Sequence, residues 1–244
     1  MNERYETFGK VYEVFFEPGE VTEIRAYGLS RNNKAWEGWA GGSGVVYGYF
    51  DNPEAFGQAA EGLERARAPG IYFTLNPCKP DLLARAANRL KAASGKAPLT
   101  SDLDIRCIRW LPIDVDWMPV DGGPRPAGIS STDEEMARAI RLRNRISKWM
   151  EEEMGAQGGI LGNSGNGGHL LYRLPDMPNS RENVEWLKGA LKGLSAKFTG
   201  KFGEVDERIF NPSRILKLYG STVRKGDHTK ERPHRVSYVE KIDE

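Results

Sequence analysis

The stretch 107–210 constrains the fold most, because its hydrophobic period switches between two and about 3.6 in a fixed order. Residues 107–117 (Cys-Ile-Arg-Trp-Leu-Pro-Ile-Asp-Val-Asp-Trp) read as a strand, followed by a Gly/Pro-rich loop over 119–130. Thr132 and Glu135 form a capping box that opens a helix running to about Met154. Short strands are expected at 157–163 and 168–174, around a Gly-rich turn. Asn179 with Glu182 caps a second helix, along which Val184, Leu187, Leu191, Leu194 and Phe198 keep helical spacing. Residues 204–210 follow as a last strand.

That order, βαββαβ, is the ferredoxin-like or RNA-recognition-motif (RRM) arrangement. Its first strand lies between the third and the fourth, so side chains far apart in sequence become neighbours. The N-terminal part reads as mixed α/β. Residues 10–16 and 21–27 are expected as a strand pair around Pro18-Gly19, with further strands at 44–50 and 71–75. Asn52 and Pro53 open a helix with Phe56, Ala60 and Leu63 on its apolar stripe. Leu82, Leu83, Ala86 and Leu90 mark another. The polar stretch 94–104 is the expected boundary. The fold class is therefore α/β (α+β) in two modules, about 1–100 and 104–244, with an active-site cleft expected between them.

Composition adds exclusions. With 35 basic and 34 acidic side chains the net charge is +1, so any nucleic-acid footprint must be local. Cys78 and Cys107 form no CxxC pair, which argues against a disulfide framework or a thiolate zinc site and suits a reducing compartment. The N-terminal 16 residues carry Glu3, Glu6, Lys10 and Glu13, too polar for a signal peptide or a membrane span. A cytoplasmic protein with no membrane partner is expected.

Asp114 and Asp116 stand two apart on the first strand of the βαββαβ unit, so both project from one face. Carboxylates are hard ligands suited to Mg²⁺ or Mn²⁺, and a cation relieves the repulsion between two charges held on an apolar strand. The alternative is a solvated strand end. Residues 164–169 (Ser-Gly-Asn-Gly-Gly-His) lie between the second and third strands. Their glycines let backbone N–H groups approach a ligand, and Ser164 and His169 supply further donors; a plain hairpin is the bland reading. Asp206 falls on the fourth strand, beside the first in this topology. Glu204 shares its parity and competes with it, whereas Glu207 should face the other way. From Arg214 the chain turns basic: Arg214, Lys217, Arg224, Lys225, Lys230, Arg232 and Arg235 stand against Asp227 and Glu231. Such a segment can neutralise triphosphate or a DNA backbone.

An apolar-flanked Asp-x-Asp, a Ser-Gly-x-Gly-x-His turn and a later strand Asp followed by basic residues occur here in one order. In this the chain resembles the archaeo-eukaryotic primase superfamily, the primase-polymerases. Residues 210–221 (Phe-Asn-Pro-Ser-Arg-Ile-Leu-Lys-Leu-Tyr-Gly-Ser), 72–77 (Tyr-Phe-Thr-Leu-Asn-Pro) and 125–130 (Arg-Pro-Ala-Gly-Ile-Ser) are similar to versions encoded by phages, plasmids and other mobile elements, with a CRISPR-associated type also open. The resemblance covers roughly residues 40–226.

It implies a DNA primase/polymerase that transfers nucleotides from dNTPs or NTPs to a 3′-hydroxyl on a single-stranded DNA template and primer. It implies two Mg²⁺ or Mn²⁺ ions held by Asp114, Asp116 and Asp206. Ser164, Asn166 and His169 would contact the incoming triphosphate. Arg214 and Lys217 would lie along phosphates, with Arg224 or Lys225 beside them facing nucleic acid. Asn76 and Arg89 are weaker candidates for template contacts. Many relatives carry a zinc element, and none is seen in this sequence. Many also carry a helicase or helical priming domain, so a helicase partner is an open expectation, and primer extension is better supported than unaided priming. Two rivals stand beside this reading: a nucleotide cyclase or metal-dependent phosphodiesterase on a similar sheet, and a non-catalytic RRM-like nucleic-acid-binding module.

Overall fold

The computed structural model describes residues 3–29, 44–94 and 97–242. In chain order its elements are α1 (Glu3–Phe15), β1 (Thr22–Tyr27), β2 (Val46–Phe50), α2 (Pro53–Arg65), β3 (Gly70–Thr74), β4 (Lys91–Ala92) and β5 (Cys107–Asp116). After these come α3 (Asp133–Met154), β6 (Gly159–Asn163), β7 (Gly168–Pro178), α4 (Arg181–Phe198), β8 (Glu204–Val205), β9 (Ile215–Lys217), β10 (Thr222–Val223), β11 (Arg235–Val236) and β12 (Tyr238–Ile242). Two compact units result: Met1–Ile108 with Pro212–Thr222, and Arg109–Asn211 with Val223–Glu244. No helix among the described residues is long and apolar enough to cross a membrane.

The first unit is a sheet ordered β4-β2-β1-β3-β9, with α1 and α2 packed together. Residues 10–16, expected as a strand, lie largely in α1. Phe8, Val11, Tyr12 and Phe15 are all buried, and that spacing is a helical stripe. Their rings meet Phe56 of α2 and Phe73 of β3: Tyr12–Phe56 centroids lie 5.7 Å apart and Phe15–Phe73 5.2 Å. Asn52 caps α2 by accepting the Ala55 N–H at 2.9 Å. The helix expected from Leu82 to Leu90 shortens to a 3₁₀ turn (Pro80–Arg85); Asn88 takes a positive φ, and Tyr47 pairs with Lys91 instead. Residues 95–96 of the expected boundary loop lie outside the described residues. Strand β9 joins this unit because Tyr72, Phe73 and Thr74 pair with Lys217, Leu216 and Ile215.

The second unit realises the order βαββαβ in β5, α3, β6, β7, α4 and β8. Its sheet runs β12-β6-β7-β5-β8, so β5 lies between the third and fourth strands of the motif, and β12 extends the far edge. The capping box of α3 forms as read: Glu135 N–H donates to Thr132 Oγ1 at 3.2 Å, and Thr132 N–H donates to Glu135 Oε2 at 2.8 Å. Gly155 ends α3 in the left-handed region. Helix α4 is capped by Ser180, which accepts the Asn183 N–H, rather than by Asn179. The last strand stops at Val205, because Asp206 Oδ1 accepts the Arg208 N–H at 3.0 Å and turns the chain. Leu111, Tyr172, Met150 and Leu194 line one groove, so the helices cover the odd-numbered face of β5. Asp114 and Asp116 project from the other face.

Candidate active site

At the C-terminal end of β5, Ile113 and Val115 are fully buried while Asp114 and Asp116 are half-exposed. This alternation puts both carboxylates on one side of the strand. Strand β8 closes against that end: Val115 pairs with Val205 and Asp116 with Glu204. One step on, Asp206 N–H donates to the Asp114 carbonyl at 3.0 Å. The sequence-predicted trio of Asp114, Asp116 and Asp206 therefore shares one corner of the sheet, and Glu204 is in it too.

Guanidinium groups neutralise that corner. Arg125, in the loop after β5, donates to Asp116 and lies 3.8 Å from Glu204. Its half-burial works against charge, but the bond to Asp116 and the field of Glu204 and Asp114 outweigh it, so the guanidinium is held more firmly protonated than usual. Arg208 Nε donates to Asp206 Oδ1 at 2.8 Å. With those cations in place, no group of three or more His, Cys, Asp or Glu side chains among the described residues is drawn together as a coordinating set. The donor chemistry nonetheless suits a hard divalent ion, with carboxylates concentrated on an apolar strand end. A polar cavity of about 500 Å³ adjoins it, lined by Arg125, Ser195, Thr199, Glu204, Asp206 and Arg208 among others.

The Gly-rich turn closes over the same strand end. A Cβ on Gly167 would lie 2.4 Å from the Val115 carbonyl oxygen, so only glycine permits this approach. Ser164 Oγ accepts the Gly167 N–H at 2.9 Å and shapes the turn. Asn166 Oδ1 accepts from Ser131 N–H at 2.7 Å and Ser131 Oγ at 3.2 Å, which commits its amide oxygen to the start of α3. His169 is buried, with Nε2 3.7 Å from Asp114 Oδ1, beyond hydrogen-bond length. Gly167→Ala should drive the turn off β5 and lower stability by about 1–3 kcal/mol. Thermal melting checks it; a variant that melts like wild type would mean the close approach is unimportant.

The remaining predicted residues are placed as follows. Arg214 and Lys217 belong to the first unit, where buried Lys217 donates to the Thr222 carbonyl and stands 5.2 Å over the Tyr72 ring. Asn76 is buried and donates to the Pro212 carbonyl at 3.0 Å, a fold-building bond; Arg89 is exposed. Arg224 is half-buried and Lys225 exposed in the second unit. The basic tract is partly consumed by structure. Arg232 forks onto Glu135 at 2.8 and 3.1 Å, and Arg235 Nη2 donates to Asp133 at 2.6 Å.

Two arginines were not singled out by sequence reasoning. Arg125 opens the 125–130 tract that carries part of the resemblance, but nothing in that tract gave the arginine a role of its own. Arg143 carried a local signal, since it lies on the buried stripe of α3 with Ala139, Leu142, Ile146 and Met150. Neither cysteine is in a disulfide and both are buried, and burial pushes the Cys78 thiol up to about 11.

The chain is a mixed α/β protein built on antiparallel sheet pairings. No family model matches its sequence, and no curated protein does. Among solved structures it is similar to primase RepB′, at 9% identity and TM-score 0.48, covering 98% of this chain and 56% of that one. The chain thus spans little more than half of that protein's length. It is also similar to the catalytic domain of primase RepB′ in complex with initiator DNA: 11% identity, TM-score 0.48, 99% and 86% coverage. A third likeness is to the polymerase domain from Mycobacterium tuberculosis Ligase D in complex with DNA: 14%, 0.48, 96% and 80%.

Proposed function

We propose that this chain is a nucleotidyl-transfer enzyme of the archaeo-eukaryotic primase-polymerase type, acting on dNTPs or NTPs at a DNA template and primer. The observation that carries this reading is a convergence. The Asp114–Asp116 pair, the Gly-rich turn and Asp206 just after β8 are remote in sequence and meet at one end of β5. In the reaction a 3′-hydroxyl oxygen bonds to the α-phosphorus, the bond to the bridging oxygen breaks, pyrophosphate leaves and the alcohol proton passes to solvent.

Asp114, Asp116 and Asp206 would hold two Mg²⁺ or Mn²⁺ ions, which when bound supply Lewis acidity at the attacking and leaving oxygens. His169 is assigned to orienting the triphosphate; the N–H groups of Gly165 and Gly167 are committed to Asn163 Oδ1 and Ser164 Oγ, which fix the turn that carries it. Arg224 and Lys225 are assigned to the nucleic-acid backbone. Acidic side chains on the sheet face disfavour a merely RNA-binding module, because they repel phosphate without a cation.

The test is incubation with single-stranded template and labelled nucleotides, with and without primer, in Mg²⁺ or Mn²⁺. Template-directed products are expected. Nucleotide turnover independent of template would transfer the assignment to a cyclase or phosphodiesterase. In the same assay Asp206→Asn should lose activity on the order of 10²–10³-fold, while Glu204→Gln should keep most of it. The reverse result would make Glu204 the third ligand.

A further inference from the structure

Helices α3 and α4 leave a groove between them that the proposed chemistry does not use. It measures about 450 Å³ and lies on the helix-covered side of β5, away from Asp114 and Asp116. Trp149 and Met154 of α3 and Trp186, Gly189 and Gly193 of α4 wall it. At its rim Met154 is 61% exposed and Trp186 50% exposed, and two large apolar side chains on one rim mark a contact surface. Glycine is costly inside a helix, yet neither glycine of α4 is required by its own chain: a Cβ on Gly189 or Gly193 would meet nothing within 4 Å. What the pair does permit is the close approach of another backbone along α4.

Charge identifies the occupant. Glu185, Gly189, Gly193 and Lys197 follow one another at intervals of four, so they form one row along α4, acidic at one end and basic at the other. The groove has the same polarity. α3 closes on Glu151, Glu152 and Glu153 beside the opening turns of α4, since Met154 shares the groove with Trp186. At the other end Arg145 stands 6.0 Å over the Phe198 ring and Lys197 4.8 Å over the Trp149 ring. Lys148 and Lys188 reach Glu152 and Glu185 at 3.6 and 3.5 Å, solvent-facing pairs of little strength. A face of this polarity fits a copy of itself turned about a two-fold axis, because acid then meets base at both ends and the glycines meet at the centre. We propose that the α3–α4 face docks a second copy of this chain, with α4 crossing its counterpart antiparallel at Gly189 and Gly193. Glu185 then lies opposite Lys197 of the second copy, because the two are equally far from the midpoint of the glycines. Trp186 is covered in that contact. The length of α4 by two helix diameters gives a face of about 27 by 20 Å, so on the order of 1,000 Å² is covered across both copies, the low end of a specific contact.

The test is the oligomeric state of the full chain, read by sedimentation equilibrium from about 5 to 200 μM, which brackets the micromolar affinity of so small a contact. Wild type should move from one chain toward two across that range. Gly189→Leu should weaken association about tenfold or more by filling the crossing, yet its melting temperature at low concentration should hold or rise, because leucine is the better helix former. Trp186→Ala should weaken it by a similar factor. Glu185→Lys and Lys197→Glu should each weaken it about tenfold, and an equimolar mixture of the two should recover wild-type association, because each cross-copy pair in the mixed dimer is again opposite in charge. Lys197 also packs on Trp149, so each variant is melted; where Lys197→Glu does not fold, Gly189→Leu and Trp186→Ala carry the test. A chain that stays single at every concentration overturns the proposal and leaves the groove to a partner of another kind. A dimer that survives both Gly189→Leu and Trp186→Ala, or folded charge variants whose mixture does not recover, puts the contact on another face and overturns it as well.

Discussion

Asp114→Asn and Asp116→Asn should each abolish template-directed incorporation, by on the order of 10³-fold or more, while leaving the chain folded. Asparagine keeps the shape of each side chain and removes the charge. Both carboxylates are half-exposed, so the substitutions empty no core space. They also relieve repulsion, because Asp114, Asp116, Glu204 and Asp206 crowd one strand end, where Arg125 pairs with Asp116 and Glu204 and Arg208 with Asp206. The melting temperature should therefore hold or rise slightly as activity disappears. That opposition separates charges kept for chemistry from charges kept for stability. Thermal melting and primer extension on the same preparations decide it. An Asn variant that extends primers normally would show that the pair holds no essential metal. One that melts far below wild type would show that the pair supports the fold.

The fold around that pair was readable because its signals are local. The period-two alternation of Ile113, Asp114, Val115 and Asp116 needs only its own strand, and the Thr132–Glu135 box only one helical turn. Where local signals conflict, reading fails. In α1 the run Val11, Tyr12, Glu13, Val14 and Phe15 is rich in β-branched and aromatic residues that favour a strand, yet Phe8, Tyr12 and Phe15 form the buried stripe that meets Phe56 and Phe73. Tertiary burial outweighed β propensity there. The Asp206 strand was expected to run to Phe210, but the Asp206–Arg208 turn cuts it short, a choice made by one side-chain hydrogen bond. Least legible were the arginines. Arg125 pairs with Glu204, and Arg235 with Asp133, across long stretches of chain, so their use depends on topology rather than on neighbours. A basic tract in sequence thus overstated the basic surface available to DNA.

Arg143 carries the largest expected stability effect. It is fully buried on α3, donates to the Gly162 carbonyl at 2.7 Å and Glu240 Oε2 at 2.5 Å, and forks onto Asn144 Oδ1 at 2.6 and 3.0 Å. It thereby ties α3 to β6 and to the edge strand β12. Gly168 is part of the same device, since a Cβ there would come within 3.0 Å of the Arg143 side chain. Arg143→Ala leaves the Gly162 carbonyl without this donor, strips Glu240 of its countercharge and opens a void under the turn. Glu240 keeps 29% side-chain exposure, so water recovers part of its loss. The net cost should be about 2–4 kcal/mol, read as a lower urea midpoint. Glu240→Gln should cost less, because the bonds to Gly162 and Asn144 survive. Arg143→Lys should recover little, because one ammonium cannot span partners on three sides. Because Gly168 leads directly into His169, loosening Arg143 should also weaken nucleotide use before the chain unfolds. An Arg143→Ala midpoint equal to wild type would mean that α3 is held by its apolar stripe alone, and a Glu240→Gln loss as large as that of Arg143→Ala would place the energy in the ion pair rather than in the buried carbonyl.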